Sequence, residues 1–204
     1  MYREKMDIIT KIEIIAVIAI VIWGLWSWLG GGDELSSDTY RTYECDYKST
    51  SVAQTVIKTK VNGEEVTIKG GIAAKLWFTD PLTMYDSEDN VLANAGDVYG
   101  FISQDDHGIY VNDEFNVNME GNVDLWGNSY KLKDENGDTV ATIECNWTDT
   151  HGTVKDIKGN VIATYESALG MNDYTVKVCD NDICSDEAML IIIASYISDV
   201  KYDD

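Results

Sequence analysis

Proline is almost absent from this chain, with one residue in 204. Proline-rich linkers are therefore excluded, and the turns must be made by glycine and asparagine, whose Asn-Gly and Asp-Asn steps recur along the sequence. Histidine is scarce too, at two residues. His107 and His151 stand apart in stretches that read as polar turns, and neither has a neighbouring nucleophile or a second ligand. Lys and Arg number 15 against 36 Asp and Glu, a formal net charge of -21. A surface of that sign repels phosphate backbones and anionic headgroups, so nucleic acid is set aside as a partner. The G-x-S-x-G, H-E-x-x-H, P-loop and C-x-x-C patterns are also missing. No catalytic, metal or cofactor site is assigned, and the chain reads as a non-enzyme.

Two apolar runs stand out against this acidic background. The first, IIAVIAIVIWGLWSWL from Ile14 to Leu29, comes close to the roughly 20 residues that a helix needs to cross a bilayer. Arg3, Lys5 and Lys11 precede it, while Asp33, Glu34 and Asp38 follow, which predicts a cytoplasmic N-terminus and an extracytoplasmic remainder. Trp23, Trp26 and Trp28 cluster at the distal end, where an aromatic belt belongs. No A-x-A site follows the run, so an uncleaved anchor fits better than a signal peptide. The expectation is a single-pass protein of the cell membrane, with residues 1–29 as stub and anchor, 30–39 as linker and the bilayer as partner of the N-terminal helix. The stretch TKIEIIAVIAIV also resembles the start of type IV pilins, with Glu13 matching their early glutamate. Ile8, however, stands where pilin precursors need a small residue before the cleaved bond. A pilin-like surface subunit remains an alternative.

The second run lies in SDEAMLIIIASYISDV, Ser185 to Val200. From Ala188 to Ile197 it is too short to span a bilayer, and Asp186, Glu187 and Asp199 flank it. Ser185 followed by two carboxylates reads as an N-cap with acids in the first turn, where the helix dipole favours them. The expected helix covers 186–199. Because it is apolar nearly all round, Met189, Leu190, Ile191, Ile192, Ile193, Tyr196 and Ile197 must be wrapped by protein on every side.

The wrapping is written in a repeat. YDSEDNVLANAG from Tyr85, KDENGDTVATIE from Lys133 and KDIKGNVIATYE from Lys155 each carry an aspartate, a polar turn, and an apolar stretch with a central alanine. Asp86, Asp134 and Asp156 correspond, as do Ala93, Ala141 and Ala163, and VNGEEVTIKG from Val61 is a shorter echo. Alternating strands joined by Asn-Gly and Lys-Gly-Asn steps are β-hairpins, since those steps supply the positive φ that short loops require. Evenly spaced antiparallel hairpins followed by one apolar helix predict a mainly β domain, 40–204, that curls into a barrel and closes around the helix.

The run of hairpins ending in NDYTVKVCDNDICSDEAMLIIIASYISDV, from Asn172, resembles the LURP-one-related branch of the tubby-like fold, whose other branches include the tubby C-terminal domains and the phospholipid scramblases. The likeness covers about Tyr40 to Val200, and the cadence from Asp134 to Ile143 matches the family's hairpins. It implies a barrel with a central helix. Phosphoinositide binding by tubby domains uses clustered Lys and Arg; here Lys131, Lys133, Lys155 and Lys158 are interspersed with Asp134, Glu135, Asp138 and Asp156, so that role is not carried over. The expected function is a membrane-anchored, non-catalytic, tubby-like binding or structural module at the cell surface. A lipid-handling, scramblase-like protein is the alternative.

Four cysteines, Cys45, Cys145, Cys179 and Cys184, allow three pairings. An exported domain would permit oxidation, and CDNDIC makes Cys179 with Cys184 the candidate disulfide. DENGD at Asp134 begins like a calcium loop, but Thr139 and Cys145 stand where glycine and glutamate are needed; it reads as a hairpin turn. The acids of DNDICSDE read chiefly as helix capping.

Overall fold

The computed structural model describes residues 34–49, 55–72, 79–97, 107–124, 127–145, 150–167 and 173–202. The anchor predicted at 14–29 and the start of the linker lie outside them. No helix among the described residues is long and apolar enough to cross a membrane. Glu34–Asp204 forms one compact unit.

Twelve strands follow one another: β1 (Tyr40–Ser49), β2 (Thr55–Val61), β3 (Glu64–Ile72), β4 (Thr79–Tyr85), β5 (Val91–Asp97), β6 (His107–Val111), β7 (Glu114–Asp124), β8 (Gly127–Lys133), β9 (Thr139–Cys145), β10 (His151–Asp156), β11 (Val161–Ser167) and β12 (Tyr174–Cys179). One helix, α1 (Asp186–Tyr202), ends the chain, running three residues beyond the predicted 199. Each strand pairs antiparallel with its neighbour in sequence, and β1 pairs with β12 to close the barrel. His107 and His151 are the first residues of β6 and β10, half-buried in the wall rather than solvated in turns.

Period-two patterning decides which side chains point inward. In TVIKTKV of β2, Thr55, Ile57, Thr59 and Val61 are buried while Lys58 and Lys60 are exposed. In β12 Tyr174, Val176 and Val178 are buried with Thr175 and Lys177 between them less so. Eight strands suffice for a barrel that side chains alone can fill; twelve enclose more space, and α1 occupies it. A helix is about 10–12 Å across with its side chains. Met189, Ile191, Ile192, Ile193 and Tyr196 are wholly buried, Leu190 is 1% exposed and Ile197 5%. The helix packs on β2 to β6 and on β12. Tyr196 meets the rings of Tyr130 and Tyr165 at 5.4 and 5.7 Å between centroids, within the favourable range for aromatic pairs.

The three repeats close in one manner. Between β4 and β5, β8 and β9, and β10 and β11, the aspartate amide donates to the carbonyl four residues on, as in Asp86 to Asn90, Asp134 to Asp138 and Asp156 to Asn160. One carboxylate oxygen of that aspartate accepts from the backbone amides two and four residues ahead, at 2.8–3.0 Å. Asp89, Gly137 and Gly159 hold the left-handed position, with φ of 64°, 84° and 84°. This is a three-residue loop built on a tight turn with a bulge. The bulge sets the register so that Ala93, Ala141 and Ala163 point inward, at 1%, 0% and 0% exposure. Shorter two-residue turns at Asn62-Gly63 and Asn112-Asp113 place both central residues at positive φ.

Candidate functional site at the seam of the first two strands

The first strand divides its pairing. Tyr40 to Cys45 lie against β12, from Tyr40 opposite Cys179 to Cys45 opposite Tyr174. Asp46 to Ser49 lie against β2, and that ladder stops at Asp46 opposite Lys58. Beyond it, Thr59, Lys60 and Val61 pair with β3 alone. Where the strands part, a cleft of about 420 Å³ opens, lined by Thr42 and Glu44 of β1, Lys58, Thr59 and Lys60 of β2, and Glu65, Val66 and Thr67 of β3.

The cleft's polar groups are unequally occupied. Glu44 accepts a hydrogen bond from the Thr175 hydroxyl at 3.0 Å. Lys58 and Lys60 are exposed and have no ion-pair partner among the described residues, although Glu65 lies cross-strand from Lys60. Several lysines elsewhere are engaged: Lys155 lies 2.8 Å from Glu144 and Lys48 2.9 Å from Asp46, while Lys133 pairs with Glu120. The Thr59 hydroxyl is buried without an oxygen or nitrogen partner, and the Cys45 thiol is its polar neighbour. Burial pushes that thiol up to about 11, with Thr59 and Tyr174 pulling weakly the other way.

Beside the cleft, β1 holds the start of α1. The Ser185 hydroxyl accepts from the Ala188 amide at 3.3 Å, the predicted cap. Arg41 grips Asp186, with Nη2 at 2.7 Å from Oδ1, and also bonds Asp180. The Tyr43 hydroxyl donates to Asp186. These bonds and the nearby carboxylates raise the Arg41 pKa, and burial followed by the Asp186 bond raises that of Tyr43. The acids of DNDICSDE thus serve a basic residue on β1 as well as the helix. Sequence reading missed Arg41, because the partners lie far apart in the chain and nothing local marks the pairing.

The candidate disulfide residues sit at the same end as free, buried thiols. Asn181 closes the loop between them: its carboxamide oxygen accepts from the Ile183 and Cys184 amides at 3.0 Å each, and its nitrogen donates to the Cys179 carbonyl at 3.1 Å. The Cys179 thiol faces the Ser37 carbonyl at 3.9 Å. Burial pushes Cys184 up to about 12. The DENGD carboxylate of Asp134 is engaged in holding its own turn.

No family model matches the chain, and no curated protein matches it. Among solved structures, the X-ray structure of a protein from Arabidopsis thaliana is similar, with a TM-score of 0.49 and 14% sequence identity over 78% of this chain and 91% of that one.

Proposed function

We propose that this protein is a membrane-anchored, non-catalytic barrel of the LURP-one-related, tubby-like kind, acting as a binding or structural module at the cell surface. The observation that carries the reading is the filling of the barrel by its own helix, whose apolar residues from Ala188 to Ile197 are buried. A lumen so occupied leaves ligands the outer wall and the rims, and the wall offers a polar cleft at the β1–β2 seam. The titratable groups are spent on structure: aspartates hold turns, and the Cys45 and Cys184 thiols are buried with raised pKa values, which makes them poor nucleophiles.

Full-length protein reconstituted in liposomes tests the reading. Lipids should not move between leaflets faster than in protein-free vesicles. Movement that depends on Ile14 to Leu29 would overturn the module reading and favour a scramblase-like protein.

A further inference from the structure

We propose that the cleft at the β1–β2 seam binds a small zwitterion, a free α-amino acid with a short or polar side chain. The proposal rests on the binding-module reading and names its ligand class. The cleft exists because the ladder between β1 and β2 ends at Asp46 and Lys58, while β2 continues beside β3 to Val61. It is blind rather than a gap in the wall: the side chains of Cys45 and Thr59 still meet across the seam, and Thr59 and Val66, both buried, line its floor. Its volume of about 420 Å³ lies near the lower end of the roughly 300–1,000 Å³ of ligand pockets. That space suits a small molecule and not a segment of chain.

Charge selects the ligand. Glu44 on β1, Lys58 and Lys60 on β2 and Glu65 on β3 line the cleft, so its own charge is balanced. Lys58 and Lys60 share one face of β2, about 7 Å apart along the strand. Asp46, opposite Lys58, is held by Lys48. Glu65 stands opposite Lys60, yet both ammonium groups and the Glu65 carboxylate have no hydrogen-bond or ion-pair partner among the described residues. Glu44 gives one oxygen to Thr175 and keeps the other. An anion alone would meet both glutamates and the field of a chain of charge -21, and a cation alone would meet two lysines. A molecule of no net charge that carries both a carboxylate and an ammonium satisfies both sets, and the field does not oppose its approach. The lining has no aromatic ring, the usual partner of a quaternary ammonium. A primary ammonium donates three hydrogen bonds and finds acceptors in the two glutamates and in the hydroxyls of Thr42 and Thr67. Val66 is the one apolar side chain of the lining, so a large apolar side chain finds little surface to bury against.

The test follows backbone amide shifts by NMR in the full-length chain in detergent micelles. Glycine, L-serine, L-threonine and L-glutamine are the probes, with L-lactate, ethanolamine and O-phosphoethanolamine as controls. At least one of the amino acids is expected to shift the amides of Glu44, Thr59 and Glu65 saturably at up to about 10 mM, ten times a millimolar Kd. L-Lactate, which lacks the ammonium, and ethanolamine, which lacks the carboxylate, should bind at least about tenfold more weakly. A Lys58→Gln/Lys60→Gln variant should lose the preference for that amino acid over ethanolamine, and a Glu44→Gln/Glu65→Gln variant the preference over lactate, both with unchanged melting temperatures. No saturable shift with any of the four amino acids would overturn the proposal, as would lactate or ethanolamine binding equally well. Tighter binding of O-phosphoethanolamine would also overturn it, because the cleft would then suit a phosphate zwitterion of the kind found in lipid headgroups. Lipid movement in liposomes overturns the module reading through a separate observable, so the two failures are distinguishable.

Discussion

The Tyr43 hydroxyl on the first strand donates a hydrogen bond to the Asp186 carboxylate in the first turn of the final helix, tying the two ends of the domain together at the point where the barrel closes. Arg41 engages the same carboxylate from the same strand.

Removing the hydroxyl with Tyr43→Phe should cost about 1.5–3 kcal/mol near neutral pH, the usual range for a hydrogen bond to a charged group. It should also change the alkaline behaviour. The Tyr43 pKa is raised above its ordinary value of 10.0, so the unfolded chain releases a proton that the folded one keeps. The contribution is full below pH 10 and lost as pH rises above it. Cys45 and Cys184, raised from 9.0 to about 11 and about 12, act in the same direction from lower pH. Denaturant titrations between pH 7 and 11 should show stability falling above about pH 9, with a shallower fall in Tyr43→Phe above pH 10.

The hairpin aspartates contribute to the acid limb. Asp86, Asp134 and Asp156 have pKa values below their ordinary 3.8 because each carboxylate accepts hydrogen bonds within its turn. Their contribution is present above pH 3.8 and lost as pH falls through the lowered values. Replacing all three by Asn keeps an acceptor oxygen in each turn, and melting curves between pH 2 and 5 should show a flatter acid limb. In the same loops, Gly137→Ala and Gly159→Ala place a side chain at φ of 84° and should each cost about 1 kcal/mol. Asp89→Gly should be neutral or stabilising by a few tenths.

Gly152 packs beneath Tyr165. A Cβ there would lie 2.3 Å from one ring carbon and 3.0 Å from the Cys145 sulfur. Gly152→Ala should destabilise by about 1–3 kcal/mol through overpacking. Adding Tyr165→Leu, which removes the ring, should make the pair of changes cost less than the sum of the two singly, as measured by a double-mutant cycle.

Much of the barrel was legible in the sequence because its determinants are local. Asp134, Gly137 and Ala141 specify a loop, a bulge and an inward residue within one hairpin, and the same cadence at Asp156 identifies the next. The helix was legible from Ser185, two acids and an apolar run that needed wrapping. The Arg41–Asp186 pair was not legible, since β1 meets there an element distant in the chain, and the cleft beside Lys58 was not, since it opens where β1 leaves its neighbour β2 for the distant β12. Closure determines which half of β1 pairs with β12 and which with β2, and no residue between Tyr40 and Ser49 announces that division. The histidines were misplaced for the opposite reason: polar neighbours suggested turns, whereas cross-strand pairing holds His107 and His151 at strand starts.

The central claim is that α1 is the core of a barrel that closes around it, and Ile192 tests it most directly. The side chain is wholly buried, and an unpaired carboxylate in its place costs several kcal/mol, comparable with the whole stability of a domain of about 5–15 kcal/mol. Thermal unfolding of Ile192→Asp, followed by circular dichroism, should show a melting transition displaced far below that of the parent, or no cooperative transition at all. Coincidence of the two melting curves would place the helix on the surface and contradict the account.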